Sequence, residues 1–246
     1  MTTEKLQKVL ARAGLGSRRE IEGWISQGRI KINGQVAQLG DRIDNSAKVQ
    51  VDGRPVPLYS FQTTKRRIII YHKPEGEVCT RSDPEGRPTV FEKLPPLRGQ
   101  RWVMIGRLDL NTSGLLMFTN DGELAHRLLH PSYEIEREYA VRVLGEVSKE
   151  ILQNLRRGVE LDDGLATFSE IHDAGGTGAN HWYHVILKEG RQREVRRLWE
   201  SQGVKVSRLI RVRFGNIQLP RLLRPGKWRD LETEEMAGLI KLVKLR

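Results

Sequence analysis

The chain has 246 residues, with 42 Lys and Arg against 31 Asp and Glu, a formal net charge of +11 and one cysteine. That length suits one large domain or a small domain joined to a larger one, and that charge favours a polyanionic partner. The lone Cys79 excludes an internal disulfide or a Cys-x-x-Cys zinc ladder, and "MTTEKLQKVLARAG" lacks the apolar run of a secretory signal or a membrane span. A reducing, cytoplasmic setting away from membranes is expected.

The charge is uneven, with +7 over residues 1–67, −5 over 68–185, +10 over 186–229 and −1 over 230–246. In the first block, Leu6, Val9, Leu10 and Ala13 recur at the spacing of one helix face, and Gly14 and Gly16 end that helix. A second helix opens on the Ser-x-x-Glu box of Ser17 and Glu20, which satisfies free N–H groups at a helix start. It buries Ile21, Trp24 and Ile25 and stops at Gly28. "RIKINGQVA" alternates around Asn33-Gly34, a strong hairpin signal, and "KVQVDGRPV" carries a second turn at Asp52-Gly53. Lys5, Lys8, Arg12, Arg18, Arg19, Arg29 and Lys31 leave the polar faces, either as a solvated surface or as a track for a phosphate backbone. Arg18 and Arg19 sit on a helix first turn, where N–H dipoles also favour anions. The stretch "LQKVLARAGLGSRREIEGWISQGRIKINGQ" resembles the S4 RNA-binding module, which sets an expected first domain at 1–58 and a linker at 59–67.

From residue 68 to 246 the pattern is mixed α/β with many strands. "RIIIYHKP" reads as a buried strand ended by Pro74, and the Pro- and Gly-dense "PEGEVCTRSDPEGRPTVFEKLPP" as a loop excursion. Strands are expected at "RWVMIGRLD", "GLLMFTND", "REYAVRVLG", "HWYHVILKEG" and "VKVSRLIRVRFG". Helices are expected at "DGELAHRLLHP", with Leu124, Leu128 and Leu129 on one side, and at "SKEILQNLRRG", "RQREVRRLWESQG" and "TEEMAGLIKLVKLR". The fold class is α+β, and no repeat of fixed period is present.

Several positions bear chemistry. Asp109 in "GRLDLNTSGLL" is either a turn residue bonding its own backbone or a carboxylate available as nucleophile or acid/base. In "EGRQREVRRLW", Val195, Leu198 and Trp199 face the core and leave Arg193, Arg196 and Arg197 for a carboxylate or a phosphate, or merely for solvent. Tyr139 shares a strand face with Val141 and Val143, as a core side chain or a stacking platform for a base. His126 and His130 make half a zinc site with no third ligand at useful spacing, and "HDAGGTGAN" is neither a Walker loop nor a dinucleotide fingerprint. Neither metal nor nucleotide cofactor is expected.

The order of motifs resembles the S4-containing rRNA pseudouridine synthase family over essentially the whole chain, most closely the large-subunit pseudouridine synthase B group. The resemblance rests on the S4 segment, "YHKPEGEVCT", "DPEGRPTVFEKLP", "IGRLDLNTSGLLMFTNDGELAHRLLHP", "EREYAV" and "EGRQREVRRLWESQGVKVSRLIRVRFG". It implies a small S4-like domain plus a mixed, mainly antiparallel-sheet catalytic domain. It also implies conversion of an RNA uridine to pseudouridine by detaching, rotating and rejoining the base after flipping it out. By the same resemblance Asp109 is catalytic, Arg196 pairs with it and Tyr139 stacks on the target base. Leu209 lines the far side of the pocket, and Arg107 helps displace the nucleotide or fills its gap. Arg193 and Arg197 join Lys5, Arg18, Arg19, Arg29 and Lys31 as RNA contacts.

The expected substrate is ribosomal RNA, 23S ahead of 16S, free or in a precursor of the large ribosomal subunit, and the expected state is a monomer. Two rivals stand beside this reading: a non-catalytic S4-type assembly factor, and a metal-dependent nuclease, against which the lack of a carboxylate or His cluster argues.

Overall fold

The computed structural model of the protein describes residues 3–57, 65–97 and 99–245. Most of the linker expected at 59–67 lies outside these residues. The chain divides into two units, one drawn from residues 1–67, 95–103 and 120–122, the other from 68–94, 104–119 and 123–246.

The first unit runs β1 (Glu4–Lys5), α1 (Leu6–Arg12), α2 (Arg18–Ser26), β2 (Ile30–Ile32), β3 (Gln35–Val36), β4 (Arg42–Ile43), β5 (Val49–Val51) and β6 (Arg54–Val56). The capping box at the start of α2 is closed in both directions. Ser17 Oγ accepts from the Glu20 N–H at 3.1 Å, and Glu20 Oε2 accepts from the Ser17 N–H at 2.7 Å. Both expected hairpin turns form, with Asn33 and Asp52 at φ 49° and 50° and glycines in the left-handed region behind them. Strands align in the antiparallel order β3-β2-β5-β6, and β1 pairs with β4. Leu6, Leu10, Ile21, Ile25 and Ile30 fill the space beneath the sheet and between the helices. An apolar core this small is adequate for a binding module rather than a deep pocket.

The second unit carries β7 (Ile68–Lys73), β8 (Val103–Ile105), β9 (Ser113–Thr119), α3 (Gly122–Leu129), β10 (Arg137–Leu144), α4 (Lys149–Arg157), β11 (Val159–Leu161), β12 (Gly164–Ala166) and β13 (Glu170–Thr177). It continues with β14 (Asn180–Leu187), α5 (Glu194–Glu200), β15 (Lys205–Phe214), β16 (Ile217–Gln218), β17 (Trp228–Asp230) and α6 (Thr233–Leu242). Its main sheet has the order β13-β14-β10-β15-β9-β7-β17, with β8 beside β9 and β16 beside β15. The β9–β15 pairing is parallel, while β7–β9, β7–β17, β10–β14, β10–β15 and β13–β14 are antiparallel. The α+β class and the mixed, mainly antiparallel sheet are therefore as expected.

Two local expectations need correction, and one strand was not expected. "EIHDAGGT" forms β13, which is absent from the expected strands. It is an edge strand held by backbone pairing to β14 across a register shift between Asp173 and Gly176, so it needs no apolar alternation. Helix α5 starts only at Glu194, because Arg193 is left-handed at φ 50°, ψ 27° and cannot be a helical residue. Leu129 does not share the buried face of Leu124 and Leu128, since it is 40% exposed.

Candidate active site

Asp109 lies between β8 and β9, in a turn built by the main chain. The Asp109 carbonyl accepts from the Thr112 N–H at 3.0 Å, and Lys73 Nζ donates to the same carbonyl at 3.1 Å. Lys73, at the end of β7, is fully buried and donates also to the carbonyls of Thr112 at 2.9 Å, Pro74 at 3.0 Å and Leu110 at 3.4 Å. Burial pushes its ammonium below the ordinary lysine value, while nearby Cys79, Glu77 and Asp109 pull it back up. The loop is thus tied by backbone carbonyls to one buried cation. The Asp109 carboxylate, half-buried, makes no hydrogen bond or ion pair among the described residues. Turn formation does not consume this side chain, so the turn-residue reading fails and the carboxylate is available for chemistry.

That carboxylate opens on a cavity of about 460 Å³. Arg107, Tyr139, Leu209 and Arg193 line the same cavity, together with the unforeseen Arg137, Glu194 and Arg211. Sheet register explains the convergence. Tyr139 of β10 stands opposite Arg211 of β15, and Val141 stands opposite Leu209, so these side chains share one face. Tyr139 and Leu209 are 8% and 3% exposed, forming apolar walls, whereas Arg107 and Arg193 are exposed. Arg137 donates to the carbonyls of Ile135 at 2.7 Å and Lys188 at 2.8 Å. Burial pushes its guanidinium down, as does Arg211, against an upward pull from Tyr139 and Glu194. Burial also pushes the Glu194 carboxyl above the ordinary glutamate value.

The remaining sequence-predicted residues divide into two groups. Arg196 is buried behind the cavity wall and donates to the carbonyls of Asn111 at 2.8 Å and Val206 at 2.9 Å. It touches the Asp109 loop through Asn111 rather than forming an ion pair with the carboxylate. Burial and Arg193 push its guanidinium down, while Asp109 pulls it up, so the two charges sense each other without contact. Arg197 lies outside the cavity wall and grips Asp163 with two bonds of 2.9 and 2.8 Å, fixing the β11–β12 turn. In the first unit, Lys5, Arg18, Arg19, Arg29 and Lys31 are all exposed. Arg29 is engaged with Asp52 at 2.6 and 2.8 Å and lies over the Trp24 ring. Among the described residues no group of three or more His, Cys, Asp and Glu could hold a metal, and no helix is long and apolar enough to cross a membrane.

The RNA pseudouridylate synthase family model matches residues 67–201, which include Asp109, Tyr139 and Arg196. The chain belongs to the RNA pseudouridylate synthase family. The S4 domain model matches residues 4–47, so this pseudouridine synthase also carries an S4 domain. The chain is similar to ribosomal large subunit pseudouridine synthase B of Haemophilus influenzae, at 60% identity over 98% of this chain and 68% of that one. It is 57% identical to the protein of the same name from Salmonella typhi, over 98% of this chain and 84% of that one. A crystal structure of a pseudouridylate synthase superposes with a TM-score of 0.66 at 25% identity, covering 96% of this chain and 99% of that one.

Within this pseudouridine synthase, sequence reasoning missed Lys73, Glu194, Arg137 and Arg211. A signal existed for Arg211, which alternates with Leu209 on the strand and so must face the same way. For Lys73 none existed, because a lysine before proline at a strand end reads as a solvated terminus.

Proposed function

We propose that the protein isomerises one uridine of 23S ribosomal RNA to pseudouridine, with Asp109 as the reacting carboxylate. The observation that carries this is the free Asp109 carboxylate in a cavity walled by Tyr139 and Leu209, with the exposed Arg107 and Arg193 also lining it. A base within a helix hides its glycosidic bond, so the target nucleotide must leave the stack, at a cost of about a few kcal/mol. Tyr139 then stacks on the uracil, Leu209 covers its other side, and Arg107 helps displace the nucleotide or fills its gap. Asp109, attacking the sugar or assisting elimination, brings about cleavage of the bond from C1′ to N1. The base turns over, C5 bonds to C1′, the C5 proton leaves and N1, freed from the sugar, takes up a proton. Atoms are conserved and no oxidant or reductant is consumed, so no cofactor is required.

Arg196 acts as a positioning residue: it holds the Asp109 loop through the Asn111 carbonyl. The S4 module, residues 1–58, contributes phosphate contacts from Lys5, Arg18, Arg19, Arg29 and Lys31, and residues 68–246 form the catalytic domain, to which Arg193 adds an RNA contact at the cavity. Arg197, committed to Asp163, serves the scaffold more than the RNA. The 23S assignment is supported by the names of relatives at 57–60% identity. The enzyme works as a monomer in the cytoplasm, on rRNA free or in a large-subunit precursor. The test is tritium release from 23S and 16S transcripts labelled at uridine C5, with no metal or nucleotide added. Release from 23S alone is expected; release from 16S alone would move the substrate, and RNA binding without release from either, also with precursor particles, would favour a non-catalytic assembly factor.

A further inference from the structure

Arg211 lies two residues beyond Leu209 and opposite Tyr139, and lines the same cavity as both. It is 2% exposed. Its Nε donates to the Leu115 carbonyl at 2.7 Å, while its Nη2 is buried without any hydrogen-bond partner. No carboxylate among the described residues forms an ion pair with it. Of the three carboxylate residues that line the cavity, Glu189 is engaged with the Arg191 guanidinium, Glu194 accepts from the Arg191 N–H, and Asp109 forms no ion pair with Arg211. Gly106 leaves room beside the guanidinium, since a Cβ there would stand 3.6 Å from Nη1.

A guanidinium keeps its charge even when buried, and a buried cation with no anion is unfavourable in the resting protein. Such a cost persists where the charge is matched later in a reaction. A backbone phosphate is a poor match for it, because Arg211 is buried whereas Arg107 and Arg193, which also line the cavity, are exposed. What reaches Arg211 is the base held between Tyr139 and Leu209. When the bond from C1′ to N1 breaks, its electron pair stays on N1 and spreads over O2 and O4. Turning the ring over about its N3–C6 axis exchanges N1 with C5 and O2 with O4. An acceptor oxygen therefore occupies the same place before and after the turn. The charge disappears when C5 bonds to C1′, and the pair released by loss of the C5 proton is then taken up by protonation of N1.

We infer that Arg211 is a further catalytic residue, whose guanidinium donates to an exocyclic oxygen of the detached uracil anion and stabilises it while the base turns. This rests on the reading of the cavity as the uridine-isomerising site. The experiment compares single-turnover loss of the target nucleoside, read from RNA digests, in RNA carrying uridine or 5-fluorouridine at that position. Fluorine stabilises the departing anion, so cleavage of 5-fluorouridine needs the cation less. Arg211→Gln is expected to slow reaction of the uridine RNA by about 10²–10³-fold, with a clearly smaller loss on the 5-fluorouridine RNA and RNA affinity within about threefold of wild type. Arg211→Lys, which keeps a cation, is expected to lie between, with the same bias between the two RNAs. Should Arg211→Gln fail to fold, that bias in Arg211→Lys decides the matter. Equal losses on both RNAs, an effect confined to affinity, or no loss in either variant would overturn the inference. Asp109→Asn separates the two levels: full activity in that variant sinks the reading of the cavity itself. An inactive Asp109→Asn beside fully active Arg211 variants sinks only the role of Arg211.

Discussion

Asp109 owes its availability to Lys73. Four carbonyls of the Asp109 loop and its surroundings converge on one buried ammonium, so the turn closes without borrowing the aspartate side chain. The identity of Asp109 was legible through its motif. Its freedom was not, since that depends on a lysine 36 positions away in the chain. The same division holds for Arg196, whose position was legible but whose bonds run to the Asn111 and Val206 carbonyls. Glu194 offers a test of the cavity's electrostatics. It is 3% exposed, its Oε2 accepts from the Arg191 N–H at 2.9 Å, and burial raises its carboxyl. A raised folded-state value means that the folded protein holds this proton more tightly than the unfolded chain does. The associated stability is present below the ordinary value of 4.5 and is lost as pH rises through the folded-state value. Glu194→Gln keeps the acceptor and removes the ionisation. Thermal melts should therefore favour the variant progressively as pH rises above the ordinary value of 4.5; a difference independent of pH would mean that burial does not penalise the carboxylate.

At the scale of elements, the glycine of "TSGLL" has a structural cause. Gly114 pairs in parallel with Arg211 at the β9–β15 seam and sits at φ 109°. A Cβ there would collide with the Arg211 backbone, so only glycine lets the Asp109 loop and the Leu209 strand lie side by side. Gly114→Ala should cost about 3 kcal/mol or more in urea unfolding, and a loss under about 1 kcal/mol would show that the seam can yield. The strands around it were legible because their apolar residues must face the core. Strand β13 was not, because an exposed edge strand pairs through its backbone and tolerates Gly, Asp and His alike. The true start of α5 was equally hidden, since nothing in "EGRQREV" announces that Arg193 adopts a left-handed conformation. Both misses lie where backbone pairing or local conformation, not side-chain periodicity, decides the structure.

Across the whole molecule, charge is separated from chemistry. Basic blocks flank a centre of net charge −5, and the cavity draws Asp109 and Tyr139 from that centre while taking Arg193, Leu209 and Arg211 from the second basic block. This arrangement was legible as a charge profile, but its convergence required the β10–β15 register. Phosphate contacts from the first block should show in salt dependence. Replacing exposed Arg18 and Arg19 together by Gln is expected to lower the slope of log K against log salt for a single-stranded target by about 1.4. An unchanged slope would assign these arginines to solvent. Arg29, already committed to Asp52, should contribute less. The central claim is that one unpaired carboxylate performs the isomerisation while the basic surfaces bind. It is tested most directly by Asp109→Asn on C5-tritiated 23S RNA at saturating enzyme, with RNA affinity measured in parallel. No tritium release and unchanged affinity are expected; release at the wild-type rate would contradict a catalytic role for Asp109.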